Sequence, residues 1–200
     1  MKRVALMVLL SIATAAAADN KGHLVVGPAS SYPGHQTLDK ITLAAVPFIT
    51  DDQAASAFGK ANPYRYGILP VLVVLQNDTG KTLRLDLKAE FVDPQNRHLD
   101  SMPASDVVLV DGSRNRSWKD GTGAPSPLPF PRKQKKGPLH TPEIEGGEFS
   151  VHLVPPGESV HGFFYFETSS RPGSKLYLTG IKDAATGKDY FYFEVPFENQ

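Results

Sequence analysis

The chain reads as mostly β, an antiparallel β-sandwich with one short helix and a long basic, Pro-rich loop. Three observations predict this. Leu83, Leu85, Leu87, Ala89 and Phe91 alternate with Arg84, Asp86, Lys88 and Glu90. A period of two over such a length is a strand with one face in a core and the other in water. Residues 68–75 are apolar almost without interruption, as expected of a central strand covered on both faces. Roughly eight short strand patterns recur with turn residues between them, the spacing of a sandwich rather than of alternating strands and helices.

The first residues set the expected compartment. Lys2 and Arg3 precede an apolar run over 4–12 broken only by Ser11, and small residues follow at 15–18. A positive start, a short apolar stretch and small side chains before the cut make an export signal. Residues 1–18 are therefore read as signal peptide, and 19–200 as a single domain located in the periplasm or secreted. The run is shorter than the roughly 20 residues that span a bilayer, and no second one follows. Cysteine is absent, so a lipobox, disulfides and zinc–thiolate sites are excluded, and the core alone must stabilise the fold. Formal net charge is zero, so bulk electrostatics names no partner.

The elements follow in order. Residues 19–39 are rich in Gly, Pro, Ser and His and read as an exposed leader. A strand is expected over 40–48, with Pro47 near its end. A helix is expected over 51–60. Thr50 and Gln53 have capping-box spacing, Asp51 and Asp52 suit the positive end of the dipole, and Gly59 is a stop. So short a helix must dock through Phe58 and its alanines to persist. Residues 77–80 and 93–96 are turns, and 106–110 a short strand. Residues 111–142 lack periodicity and read as an inserted loop, uncommon at that length inside a compact domain. Strands resume over 148–154, 160–166, 175–181 and 190–197.

A resemblance accompanies this order. An apolar strand, an Asn77-Asp78 turn, Leu-x-Leu-x-Leu and Phe91-Val92-Asp93-Pro94 come first. Val-Pro-Pro-Gly-Glu-Ser, Gly-Phe-Phe-Tyr-Phe, Leu-Tyr-Leu and Phe-Glu-Val-Pro follow from residue 154 onward. Over 66–93 and 148–197 the chain resembles bacterial extracytoplasmic immunoglobulin-like (telokin-like) domains. The resemblance implies an immunoglobulin-like sandwich and no activity, since such domains mostly bind or bridge. The helix at 51–60 and the loop at 111–142 depart from a minimal version.

Residues that could carry chemistry are few, and neither a catalytic set nor a cofactor is expected. None of the six histidines lies in a metal-ligating pattern. If residues 155–158 close a hairpin, His152 faces His161 with Cβ atoms about 5.5 Å apart or less. Such a pair would suit a metal or a pH switch. The alternative is a Pro-Pro-Gly segment that crosses between sheets. Glu143, Glu145 and Glu148 suggest a solvated acidic edge. Thr186-Gly187-Lys188 lacks the rest of a phosphate loop and reads as a turn. The runs 163–166 and 190–193 are wholly aromatic. Successive strand residues point to opposite faces, so each run places about two rings on an outer face. Those rings either bind a sugar or a protein, or lie beneath the helix, the leader or the loop.

The long loop carries the strongest charge signal. Arg114, Arg116, Lys119, Arg132, Lys133, Lys135 and Lys136 stand against Asp111 and Asp120, a net of plus five. Prolines at 125, 127, 129 and 131 favour an extended spacer, and Trp118 and Phe130 lie near for contact with a ligand. Such an arm suits a polyanion: an envelope protein, a glycan or an anionic surface, with nucleic acid unexpected outside the cytoplasm. A solvated loop folded onto the protein's own acidic body is the plainer alternative. The functional expectation is a non-catalytic binding or adaptor module of the cell envelope. An enzyme with a site assembled from scattered residues, or an assembly factor offering an exposed sheet edge, are the alternatives. Export predicts a mature N-terminus at Asp19 or Ala18; intact-mass measurement of the protein from the envelope fraction checks it, and a full-length mass there refutes it.

Overall fold

The computed structural model describes residues 24–110 and 137–197. Nine strands among these residues form two antiparallel sheets. Sheet A is ordered β1 (His35–Leu38), β2 (Ile41–Pro47), β3 (Leu69–Asn77), β7 (Ser159–Phe166). Sheet B is ordered β5 (His98–Asp100), β4 (Leu83–Val92), β8 (Lys175–Asp183), β9 (Tyr192–Pro196), with the short β6 (Leu153–Val154) beside the start of β4. Three short helices accompany them: α1 (Asp51–Phe58), α2 (Ala104–Val107) and α3 (Pro142–Gly146).

The continuous apolar run becomes β3, hydrogen-bonded to β2 on one side and β7 on the other. Leu69, Val71, Val73 and Leu75 point inward and meet Leu83, Leu85, Phe91, Leu176, Leu178 and Phe193 of sheet B. Leu72 and Val74 point outward into a second buried cluster with Phe58, Val107, Leu139, Ile144, Phe163 and Tyr165. Both faces of the strand are thus dry, which is why its sequence shows no alternation. Pro70 lies just beyond the last β2 pair, Pro47 with Val71, so its missing N–H breaks no ladder.

The alternating strand is β4. Leu83, Leu85, Ala89 and Phe91 are buried, Arg84, Asp86 and Lys88 exposed, and Leu87 and Glu90 half-buried. Two β4 residues oppose one on β8 where the register shifts between Leu85 and Lys88. Gly180 sits opposite this bulge with φ +90, and a Cβ there would stand 2.0 Å from the Asp86 carbonyl oxygen. The shift reverses the facing of β8: Ile181 and Asp183 are buried on one side of Gly180, Leu176 and Leu178 on the other. An isolated Gly within a strand pattern is the usual mark of such a bulge.

The helix at Thr50 forms as its signals predict. Gln53 N–H donates to Thr50 Oγ1, Gln53 Oε1 accepts from Thr50 N–H, and Gly59 ends the helix with φ +63. Phe58 is buried against Phe48 and Phe163.

Several segments differ from expectation. Residues 35–38, expected within the leader, form β1, joined to β2 by Asp39 and Lys40 with φ +49 and +65. Positive φ at both central residues is the primed two-residue turn, adopted here with Asp39 first but without the Gly that usually follows. Leu24, Val26, Ala29 and Tyr32 of the leader pack on the outer cluster rather than standing exposed. Residues 106–110, expected as a strand, lie in and after α2, whose Val107 is buried and whose Ala104 N–H donates to Glu148 Oε1. Four or five apolar residues cannot by themselves separate a strand from a helical turn. Of the stretch 148–154, only Leu153–Val154 is a strand, and Glu143 and Glu145 belong to α3. The expected loop closes earlier than 142, because Leu139 is already buried.

Buried Asn77 ties two crossings between the sheets together. Its Nδ2 lies 2.7, 2.9 and 3.0 Å from the carbonyls of Lys81, Val154 and Pro155, and its Oδ1 accepts from Thr79. The β3–β4 turn and the segment from β6 to β7 are thereby held to one point.

Gly180→Ala is expected to cost more than about 2 kcal/mol, since the new methyl meets backbone in a left-handed position. Gly187→Ala, with φ +70 and nothing within 4 Å of a built Cβ, is expected to cost only about 1 kcal/mol. Leu85→Ala should cost about 2–5 kcal/mol, while Lys88→Ala leaves stability unchanged. Denaturant unfolding of the four variants checks the ranking; equal midpoints would contradict it.

Candidate binding surface

The outer faces of the two sheets are finished differently. On sheet A the aromatic run of β7 divides as alternation requires. Phe166 is buried in the inner core, with Phe164 packed half-buried against it. Phe163 and Tyr165 point outward and are covered, with Phe58 at 4.8 and 6.3 Å between ring centroids and Phe48 at 5.0 Å from Phe163. Tyr165 Oη donates to the Ile144 carbonyl at 2.8 Å. Burial, helped by nearby Glu148, pushes the Tyr165 hydroxyl pKa up. Of the alternatives for the outward rings of this run, cover by the helix at Phe58 is the one observed, and these rings offer no surface to a ligand.

Sheet B is open instead. Across its outer face His98, Tyr177 and Tyr192 form a row. The His98 and Tyr177 rings meet edge-on at 5.7 Å, and Tyr177 and Tyr192 stack at 5.2 Å with 28° between planes. The register explains the row: Glu90 pairs with Tyr177, Tyr177 with Glu194, and Thr179 with Tyr192, so all project from one side. Tyr192 is 49% exposed. Phe191, just before it, is 75% exposed with φ +62, and its N–H donates to Asp189 Oδ1 at 3.0 Å. A bulky residue in the left-handed region is a genuine outlier.

Ion pairs border the rings. Lys88 Nζ lies 2.7 Å from Glu90 and 3.2 Å from Asp100, His98 Nδ1 2.6 Å from Glu90, and Lys175 Nζ 2.9 Å from Glu194. Asp86 faces Arg84 at 3.3 Å and Lys182 at 3.8 Å. Lys88 first, then His98, hold the Glu90 carboxyl below its ordinary range, and Glu90 and Asp100 raise Lys88. The face is apolar along the row and locally neutral beside it.

The sites expected from sequence fare differently. Arg114, Arg116, Lys119, Arg132, Lys133, Lys135, Lys136, Trp118 and Phe130 lie outside the described residues. His152 and His161 do not form the facing pair. Residues 155–157 cross between the sheets, so His152 lies beside β4, its Nδ1 3.4 Å from the Leu85 carbonyl, while His161 pairs with Val74 of β3. The turn residues suit a hairpin and a crossing equally, and pairing partners decide between them. His161 and Ser159 instead line a cleft of ≈500 Å³ with Gln76 and the 26–28 segment. Among the described residues none that lines it is a carboxylate. Among the described residues no three His, Asp or Glu side chains converge as metal ligands, and no helix is long and apolar enough to cross a membrane.

The sheet edges are short or covered. Phe163 N–H donates to the Gly147 carbonyl and Met102 N–H to that of Tyr165, both at 2.8 Å on the outer side of β7. On β9, Glu194 N–H donates to Gln36 Oε1 at 2.8 Å, and Pro196 has no N–H to offer. The β1 and β5 edges are four and three residues long. Such devices discourage strand addition.

A second cleft, ≈480 Å³, is lined by Lys81, Thr82 and residues 183–186. Its one buried charge is fully engaged. Asp183, 1% exposed, accepts from Lys81 Nζ at 2.8 Å and from the N–H groups of Ala185 and Thr186 at 2.9 and 3.0 Å. Lys81 foremost, with these N–H groups, holds the carboxyl down to about 2. A depressed carboxyl stabilises the fold above its unfolded pKa and loses that contribution as pH falls through the folded value. Asp183→Asn should therefore lower the melting temperature at neutral pH. The deficit should shrink as pH drops from about 4 to about 2; a deficit independent of pH would refute it.

The chain matches no model of a known protein family and no characterised protein.

Proposed function

We propose that the protein is an exported, non-catalytic binding or adaptor module of the bacterial envelope, built as an immunoglobulin-like sandwich, with the outer face of sheet B as its recognition surface. The observation that carries this reading is the contrast between the two sheets. Helices and the leader cover the outer rings of sheet A, while on sheet B Tyr192, stacked on the half-buried Tyr177, stays open to solvent. Exposed aromatic side chains at the centre of a surface are the common anchors of recognition. The export signal, the lack of cysteine and the turn-and-strand motifs support the compartment and the fold type.

Affinity capture from envelope extract tests the reading, with wild type compared against a Tyr177→Thr/Tyr192→Thr variant. Threonine keeps strand propensity, so the variant should remain folded by circular dichroism. A component retained by wild type and lost by the variant is expected. Identical captured material from both would overturn the assignment of the face.

A further inference from the structure

We propose that the open face of sheet B binds an uncharged, hydroxyl-rich glycan chain along Tyr192, Tyr177 and Phe191; this rests on that face being the recognition surface. Three observations lead to the ligand class.

The first is charge. Lys88 is shared by Glu90 and Asp100, Lys175 is paired with Glu194, and Asp86 lies between Arg84 and Lys182. A charged ligand laid on the row would have to separate these pairs or be opposed by one member of each. An uncharged ligand leaves them intact. Carboxylate oxygens keep spare lone pairs and ammonium groups spare donors, so hydroxyls can bond to both.

The second is extent. A stable protein partner buries roughly 800 Å² on each side around a centre depleted in charge. Here β5, β4, β8 and β9 each place a charged side chain next to the rings, and covering the whole face would desolvate those pairs at a cost. A chain one sugar wide can lie along the rings and leave the ion pairs wet.

The third is display. Tyr192 packs one ring face on Tyr177 yet remains half exposed. Phe191 holds its ring in solvent from a left-handed backbone position that ordinarily favours Gly, Asn or Asp. No burial of its ring offsets that strain, and strained positions of this kind concentrate at ligand-binding sites. The apolar C–H face of a sugar ring packs on aromatic rings presented in this way.

The test uses the mature protein and two series of uncharged oligosaccharides of increasing length, one of β-linked N-acetylglucosamine and one of β-linked glucose. Binding is measured by titration calorimetry at low and high salt, for wild type, Tyr192→Thr and Phe191→Asn. Asparagine tolerates the left-handed backbone, so both variants should keep the wild-type melting temperature. Affinity for at least one series is expected to rise with chain length, to be insensitive to salt, and to fall about tenfold or more in each variant. No binding of either series, or variants that bind like wild type, would overturn the proposal. Affinity capture then separates the two failures. A protein lost by the Tyr177→Thr/Tyr192→Thr variant keeps the recognition face and discards the glycan. No difference between variant and wild type discards both.

Discussion

The structure depends on one strand being dry on both faces. β3 supplies inward side chains to the core between the sheets and outward side chains to the cluster over sheet A. Its hydrogen bonds run to β2 and β7, so no polar backbone group needs water there. A strand of this kind cannot exist without cover on its outer side. α1 is only eight residues long and would not hold its shape alone. It persists because Phe58 closes over Phe163 and Tyr165, and the 24–32 segment and α3 complete the lid. The accessory elements are thus a consequence of the apolar run and not additions to a finished sandwich.

That requirement makes the two sheets unequal. Covering sheet A uses the helices that the described residues contain, and sheet B is left to face water with its own side chains. It does so with alternating charge, which suits solvent, and with a tyrosine row, which does not need it. The polar finish also protects the fold. Gln36 and Pro196 blunt the β9 edge, and the approach of residues 147–149 and Met102 blunts that of β7. Recognition through a sheet face is therefore better supported than recognition by adding a strand.

Local periodicity was legible without the fold. The alternation of β4, the capping box at Thr50 and Gln53, and the unbroken run of β3 each specify their element from neighbouring residues, and each forms as expected. The bulge could have been found at Gly180, an isolated glycine inside a strand pattern. The primed turn at Asp39 and Lys40 could not, because Lys40 stands where such a turn ordinarily has Gly, and Asp39 alone does not specify it.

By itself the sequence determined the long strands β3 and β4, which face of β4 meets water, where α1 begins and ends, and that no cysteine chemistry is available. Only the tertiary structure decided that residues 155–157 cross between sheets instead of closing a hairpin, that 104–107 turn helically, and that one outward aromatic set is buried while the other stays open. The physical reason is common to all three. Turn chemistry and short apolar runs are compatible with several arrangements of similar local energy, and the choice falls to whichever lets distant side chains share a dry interface. Asn77 shows it directly: one buried amide, unremarkable in the sequence, holds both crossings in place.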